Sequence, residues 1–155
     1  MLEPIVKTIE VPCGQKMAFD VFLSEMDSWW PTTKFSVSAH SKQAAKSLRV
    51  DPVLGGKIVE IGHDDTEHLW GTITAYDPHG AFSMDFHIGQ EAASASQVAV
   101  QFSVVDAQRT RVQLTQTGWE NAGEMAPMLH HGYTMGWAVI FDQEYMKACG
   151  GLPVG

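Results

Sequence analysis

Hydrophobic and polar positions alternate along several short segments of this chain. In the first of them, PIVKTIEVP, the apolar residues Ile5, Ile9 and Val11 fall on one side of the alternation. A period of two is typical of a β-strand that buries one face, and Pro12 ends the pattern. The N-terminal segment is therefore predicted to be a strand.

The period of the hydrophobic pattern changes in the next segment, GQKMAFDVFLSEMDSWWP. Here Met17, Val21 and Phe22 recur at helical spacing. The pattern ends before Pro31, because a residue that precedes proline disfavours the helical conformation. We predict one or two short helices, followed by a polar loop over residues 32–47.

The middle of the chain has the pattern of strands linked by hairpins. The sequence LGGKIVEIGHDDTEHLWGTITAYDPHGAFSMDFHIG contains three alternating runs, separated by turn sequences at residues 62–66 and 77–80. In the third run, one face carries the apolar residues Phe82, Met84, Phe86 and Ile88. Because alternate residues of a strand point to opposite faces, we expect Asp85 and His87 to face water.

Two further runs, QVAVQFSVV and TRVQLTQTG, also alternate with a period of two. A turn sequence at residues 106–108 separates them, which indicates another hairpin. The positions predicted to point into the core are Val98, Val100, Phe102, Val104, Val112 and Leu114.

The last long segment, GYTMGWAVIFDQEYMKACGG, returns to helical spacing. Its large apolar side chains recur at steps of three and four residues, at Tyr133, Trp137, Ile140, Phe141 and Tyr145. Gly132 and Gly136 lie one turn apart, and each costs roughly 1 kcal/mol relative to alanine in a helix. The glycine pair therefore indicates either room for a ligand or close packing against a neighbouring element.

These elements predict an α+β fold. The order is a strand, short helices, about five or six hairpin-linked strands and a long helix. An antiparallel sheet with one apolar face must cover that face, and the terminal helix is the only predicted element long enough to do so. We therefore expect a curved antiparallel sheet of about six or seven strands wrapped around the C-terminal helix, in one domain over residues 1–155.

Composition and charge narrow the classes of function. The formal net charge of −8 argues against binding to nucleic acid or to an anionic membrane surface. No run approaches the ~20 apolar residues that span a bilayer, and the N-terminus lacks the pattern of a secretory signal. We therefore expect a cytoplasmic protein in which Cys13 and Cys149 are reduced thiols.

Several local patterns resemble the START-like, or SRPBCC, superfamily, and within it the branch named after an activator of a heat-shock-protein ATPase. The patterns are VPCGQKMAFDVF, WWP, VDPVLGGKI, GTITAYDPHGAF, TRVQLTQTGW and the GW pair at residues 136–137. Their order and spacing cover nearly the whole chain. This chain departs from the resemblance at Phe86, where members often carry tryptophan, and near Gln116, where many carry histidine.

The resemblance implies a helix-grip fold with a cavity between the long helix and the concave sheet. The residues expected to line this ligand-binding cavity are Trp29, Trp30, Phe82, Met84, Phe86, Phe102, Trp119, Tyr133 and Trp137. Aromatic and methionine walls suit an apolar or aromatic ligand. The alternative is that the same side chains fill the space at normal interior density.

Our first prediction is a protein that binds a small hydrophobic molecule, without catalytic residues or a cofactor. Polar groups between Trp119 and Asn121 would orient the ligand, although Asn121 and Glu124 also have the spacing of a helix-capping box, which we favour. One alternative is a protein-interaction module that acts as a co-chaperone, as the resemblance implies. Another is a cyclase- or hydrolase-type enzyme, which would need an acid or a histidine that points into the cavity.

A metal site is not predicted. His63 and His68 flank an acidic turn, and imidazole and carboxylate groups are zinc ligands. However, no further histidine has supporting spacing, and a turn rich in acidic residues is also typical of a solvated loop.

Overall fold

Seven antiparallel strands form one curved sheet in the computed structural model, which describes residues 2–151. In chain order they are β1 (Ile5–Val11), β2 (Ser47–Val50), β3 (Lys57–Ile61), β4 (Glu67–Asp77), β5 (Ala81–Phe86), β6 (Ser96–Asp106) and β7 (Arg109–Thr117). Across the sheet the order is β1-β7-β6-β5-β4-β3-β2. From β2 to β7, each strand therefore lies beside the next one in the chain. Strand β1 lies at one end of the order, beside β7.

Helices occupy both ends of the chain. Two short helices, α1 (Gln15–Phe22) and α2 (Met26–Trp29), follow β1. A continuous C-terminal helix over residues 126–148 consists of α3 (Ala126–Val139), a π-helical stretch (Ile140–Tyr145) and α4 (Met146–Ala148). Short 3₁₀ turns lie at Ser38–Ser41, Ala92–Ser94 and Trp119–Met125.

The aromatic stripe of the C-terminal helix faces the concave side of the sheet. Tyr133 is half-buried, whereas the rest of the stripe is at most 1% exposed: Trp137, Ile140, Phe141 and Tyr145. The hydroxyl of Tyr145 donates to the Ala18 carbonyl of α1, 2.7 Å away, so the helix also contacts the first helical segment. The predicted α+β helix-grip architecture is confirmed.

Three details differ from the sequence-based predictions. Strand β2 forms at the end of the predicted loop, because four residues are too few for a period of two to stand out. Val104 is 62% exposed, because it lies at the end of β6, where the pairing with β7 shifts register before Asp106. Met17 is also exposed, and the buried side of α1 is formed by Ala18, Phe19, Val21 and Phe22.

A buried carboxylate fixes the polar segment 32–47 onto the sheet. Glu60 of β3 accepts hydrogen bonds from the backbone N–H groups of Val37 and Ser38, at 2.7 and 2.9 Å, and from Nε1 of Trp70 at 2.9 Å. Burial alone would raise the pKa of Glu60, but these hydrogen bonds outweigh that effect and lower it. The loop is thereby held by the ionised side chain.

The two glycines of the C-terminal helix have different surroundings. A β-carbon on Gly136 would lie 3.2 Å from Cε1 of Phe35, whereas a β-carbon on Gly132 would meet nothing within 4 Å. Close packing against segment 32–47 therefore accounts for Gly136. Gly132 lies on the exposed side of the helix.

Candidate functional site

Aromatic side chains fill most of the interface between the C-terminal helix and the sheet. Trp137 stacks against Phe86 of β5 and against Tyr133, with ring centroids 6.0 Å apart in both pairs. On the other side of Trp137, the ring of Trp30 lies 6.0 Å away in an edge-to-face arrangement. Contacts at these distances leave little free volume.

A small gap remains where the first turns of the C-terminal helix meet the sheet. Its volume is about 10 Å³, which is close to the space that one water molecule needs. We call it the Trp119 pocket, and its walls are Phe86, His87, Gln90, Ser94, Ser96, Trp119, Ala122, Leu129 and Tyr133.

The residues predicted to line a cavity divide into two groups. Phe86, Trp119 and Tyr133 surround the Trp119 pocket, and Trp137 stands directly behind two of them. The others lie in the packed core: Trp29, Trp30, Phe82, Met84 and Phe102. Interior packing accounts for Phe82, Met84 and Phe102, whereas Trp29 and Trp30 also border an open surface groove that is separate from the Trp119 pocket.

Trp119 brings an unsatisfied hydrogen-bond donor to the pocket. Its side chain is 3% exposed, and its Nε1 has no hydrogen-bond partner among residues 2–151. The ring packs edge-on against His130 at 5.0 Å and lies 6.1 Å from the ring of Tyr133. Burial raises the pKa of the Tyr133 hydroxyl, so this group also stays protonated and can donate a hydrogen bond.

His87 lies in the pocket, so the expectation that it faces water is wrong. It is 5% exposed, because β5 ends at Phe86 and the chain turns over residues 87–90 instead of continuing the alternation. Asp85 does not pair with His87 and instead accepts a hydrogen bond from Gln97 of β6.

The hydrogen bond made by His87 defines the tautomer of its neutral ring. Nδ1 lies 3.1 Å from the carbonyl oxygen of Gln90. Because a carbonyl only accepts, Nδ1 carries the proton, and in the neutral imidazole Nε2 then carries the lone pair. The pocket wall therefore includes a hydrogen-bond acceptor that is also a base.

A buried polar chain supports the sheet side of the pocket. Nε1 of Trp137 donates to Oε1 of Gln116, and Nε2 of Gln116 donates to Oγ of Ser96, both at 2.8 Å. Oγ of Ser96 in turn donates to the Phe86 carbonyl at 3.2 Å. The sequence analysis did not propose Gln116 as a site residue. It lies two residues after the inward-facing Leu114, so the alternation of the strand does predict that its side chain points inward.

Asn121 fastens the segment above the pocket but does not cap a helix. Its Nδ2 donates to the carbonyl of Ala95 at 3.0 Å, so the predicted capping box is not formed. The 3₁₀ segment that carries it follows Gly118 and is interrupted at Gly123, and the φ angles of these two glycines are +77° and +57°. These angles favour glycine, because a side chain would be strained there.

The fold and the position of this pocket define the chain as a helix-grip protein of the START-like superfamily. Within that superfamily, it belongs to the family of Activator of Hsp90 ATPase homolog 1-like proteins, whose model matches residues 16–143.

Solved structures of other proteins share this fold. An anthrahydroquino-gamma-pyrone synthase, Txn09, complexed with SUM, is 26% identical over 83% of this chain and 85% of that chain, with a TM-score of 0.62. CalC, a self-sacrificing resistance protein from Micromonospora echinospora, is 21% identical over 96% of each chain, with a TM-score of 0.67. Protein NE0264 from Nitrosomonas europaea is 12% identical over 95% and 94% of the two chains, with a TM-score of 0.66.

The similarities to CalC and NE0264 concern the fold alone. No curated protein sequence matches this chain significantly. Within residues 2–151, no helix is long and apolar enough to cross a membrane.

Proposed function

We propose that this protein binds a small aromatic or apolar molecule in the Trp119 pocket. One observation carries the proposal: the gap in the helix–sheet interface is bordered by three of the aromatic residues expected to line a cavity, Phe86, Trp119 and Tyr133. Aromatic walls with a few polar groups among them are typical of small-molecule sites.

Binding requires the pocket to enlarge, because a volume of about 10 Å³ accommodates no more than one water molecule. The segment Trp119–Met125 forms one wall and is bounded on one side by Gly118 and interrupted by Gly123. Rotation about these two glycines would move Trp119 and Ala122 away from the sheet. A ligand would then gain about 0.8 kcal/mol for each methylene-sized group that it buries.

The comparisons support an aromatic ligand in one respect. The name of the similar Txn09 describes a synthase of an anthrahydroquino-gamma-pyrone. A chaperone partner and a cytoplasmic location stay predictions of the sequence.

A thermal-shift experiment tests the proposal. The protein is melted with a panel of naphthalene derivatives and fatty acids, and we expect at least one aromatic compound to raise Tm. With free ligand at about 100 times Kd, the stabilisation is about 2.7 kcal/mol, or roughly 5–10 °C for a chain of this size.

A matched pair of variants locates the binding site. Ala122→Leu fills the pocket and should abolish the shift, whereas Ala75→Leu makes the same change at an exposed position of β4 and should preserve it. The proposal fails if no compound in the panel raises Tm, or if Ala122→Leu leaves the shift unchanged.

Acid–base catalysis at the same pocket is a second candidate function. The specific observation is that His87, which bears a basic Nε2, forms part of the wall beside the donors Trp119 and Tyr133. A base and hydrogen-bond donors around one carbonyl compound are the elements of enolisation. His87 would take a proton from the carbon next to the carbonyl, and the electron pair of that C–H bond would form the enolate double bond.

Hydrogen–deuterium exchange tests this second candidate. The protein is incubated in D₂O with 2-acetylnaphthalene, whose methyl protons are adjacent to its carbonyl, and loss of the methyl signal is followed by NMR. We expect exchange faster than in buffer, and a return to the buffer rate with His87→Gln. Equal rates with and without the protein would remove this candidate.

A further inference from the structure

Hydrogen-bond donors that remain unused in the Trp119 pocket indicate the chemistry of its ligand. The chain has five tryptophans. Four of them donate through Nε1 to a defined acceptor: Trp29 to Val21, Trp30 to Phe35, Trp70 to Glu60 and Trp137 to Gln116. Trp119 is the fifth, and its Nε1 is buried without a partner among the residues that the structure describes.

A buried donor without an acceptor is unfavourable in a folded protein, because the group loses its hydrogen bond to water. The indole of Trp119 packs against the rings of His130 and Tyr133, and in this closed arrangement its Nε1 is shielded from water. The Trp119 pocket is the space beside it that could receive an acceptor.

The hydroxyl of Tyr133 adds a second available donor. Burial raises the pKa of this hydroxyl, so it stays protonated and able to donate. Ser96 is already engaged, since it both donates to Phe86 and accepts from Gln116, and Nδ1 of His87 donates to the carbonyl of Gln90. The pocket therefore offers a ligand two donors: the hydroxyl of Tyr133, and Nε1 of Trp119, which has no partner within residues 2–151.

The charges of the residues around the pocket further limit the class of ligand that can bind. None of the residues around the pocket is an aspartate, glutamate, lysine or arginine. An ammonium group placed there would lose its hydration without gaining an opposite charge, and a carboxylate would gain one only if His87 took up a proton. An uncharged acceptor, such as a ketone oxygen, has no such cost.

We propose that the Trp119 pocket selects uncharged aromatic carbonyl compounds, whose oxygen accepts a hydrogen bond from Nε1 of Trp119. The hydroxyl of Tyr133 is the second donor to the same oxygen. This inference rests on the proposed function, because it names the class of ligand for the same pocket.

Three naphthalene probes of similar shape test the inference. They are 2-acetylnaphthalene, which has a neutral acceptor, 2-isopropylnaphthalene, which has none, and 2-naphthoate, which is charged. Their Kd values are measured by titration calorimetry with the full-length protein. We expect 2-acetylnaphthalene to bind about tenfold more tightly than 2-isopropylnaphthalene, since the latter leaves the donors unpaired, and more tightly than 2-naphthoate.

Two variants assign this preference to the named donors. Trp119→Phe removes the N–H group but no hydrogen bond within the protein, so it should reduce the ratio of the two neutral probes toward one while 2-isopropylnaphthalene still binds. Tyr133→Phe should reduce the same ratio without removing ring area. Tyr76→Phe, which removes a hydroxyl outside this pocket, should leave the ratio unchanged.

The outcomes separate the two proposals. If 2-isopropylnaphthalene or 2-naphthoate binds as tightly as the ketone, or if Trp119→Phe preserves the ratio, the carbonyl inference is wrong and the binding function stands. If none of the three probes binds, the carbonyl inference is wrong, and the proposed binding function fails as well if no other compound of the thermal-shift panel raises Tm.

Discussion

At the scale of single residues, buried polar groups distinguish the structural part of this protein from its candidate site. Glu60 is fully buried, and three donors satisfy its carboxylate. Gln116 is also fully buried and is part of a continuous hydrogen-bonded chain. Trp119 differs from both because its buried Nε1 has no partner within residues 2–151. A satisfied polar group fixes a fold, and an unsatisfied one marks a place where a ligand can contribute.

Glu60 should make stability depend on pH in the acid range. We expect Glu60→Gln to lower the free energy of unfolding by roughly 2–4 kcal/mol near neutral pH, because an amide presents an N–H₂ group toward backbone N–H donors. Chemical denaturation of both proteins at a series of pH values measures this difference.

The sign of the pH effect follows from the lowered pKa of Glu60. The folded state holds the ionised form more strongly than the unfolded state, so the stabilisation is complete above the ordinary value of 4.5 and is lost as the pH falls through the folded-state pKa. The difference between wild type and Glu60→Gln should therefore shrink on acidification. Glu67→Gln, at an exposed position, is the control, and a difference that stays constant down to about pH 3 would contradict the role assigned to Glu60.

At the scale of elements, the C-terminal helix combines one glycine that its packing requires with another that it does not. We expect Gly132→Ala to raise the free energy of unfolding by up to about 1 kcal/mol, because alanine favours the helix and the added methyl meets no atom within 4 Å. Gly136→Ala gains the same propensity but must displace the ring of Phe35, which would lie 3.2 Å from the new β-carbon.

Urea denaturation of the two alanine variants measures this difference under identical conditions. Gly136→Ala should be less stable than Gly132→Ala by about 1 kcal/mol, since rearranging a packed ring offsets the helical gain. Equal stabilisation by both substitutions would show that Phe35 moves without cost, and close packing would then not explain Gly136.

The elements were predictable wherever a pattern is long enough to repeat. The strand at residues 5–11, the three central strands, the last hairpin and the terminal helix all follow from periodicity. Strand β2 was missed because four residues hold only two periods. His87 was placed on the wrong side because alternation stops where β5 ends, and the next residues belong to a turn.

The candidate site was predictable only in part, for a related reason. Trp119 and Tyr133 were named because the family resemblance implies a cavity between the long helix and the concave sheet. Ser96 is in phase with the inward-facing Val98 but lies outside the predicted run, and Gln90 has no periodic signal. They reach the pocket through the pairing of β5 with β6 and through the turn after His87. Tertiary contacts of this kind are not visible in a local pattern.

At the scale of the whole molecule, residues from the two ends of the chain meet. Lys7 of β1 forms an ion pair with Asp142 of the C-terminal helix, and Tyr145 donates to the carbonyl of Ala18. Cys13 follows β1 and Cys149 follows the C-terminal helix, and both are free and buried. Closure of the fold therefore depends on the C-terminal helix docking onto the first strand and helix.

The reactivity of the two cysteine thiols should show whether the C-terminal helix is docked onto the first strand and helix. Burial raises the pKa of both thiols, which lowers the fraction of reactive thiolate at any given pH. We expect both cysteines of the native protein to react with a disulfide reagent such as DTNB orders of magnitude more slowly than in the urea-unfolded chain, because labelling must wait for the structure to open. Absorbance after mixing follows the reaction.

The number of kinetic phases distinguishes two modes of opening. If the C-terminal helix detaches only when the whole fold opens, both thiols label in one phase whose rate rises with denaturant in parallel with the fraction unfolded. A fast phase of one thiol in the native protein would show instead that the end of the helix opens on its own. Ser41→Cys provides an exposed thiol as the control for intrinsic reactivity. A single slow phase would show that the end of the C-terminal helix stays docked in the native protein, so that enlargement of the pocket would have to come from elsewhere, as in the proposed movement of residues 119–125.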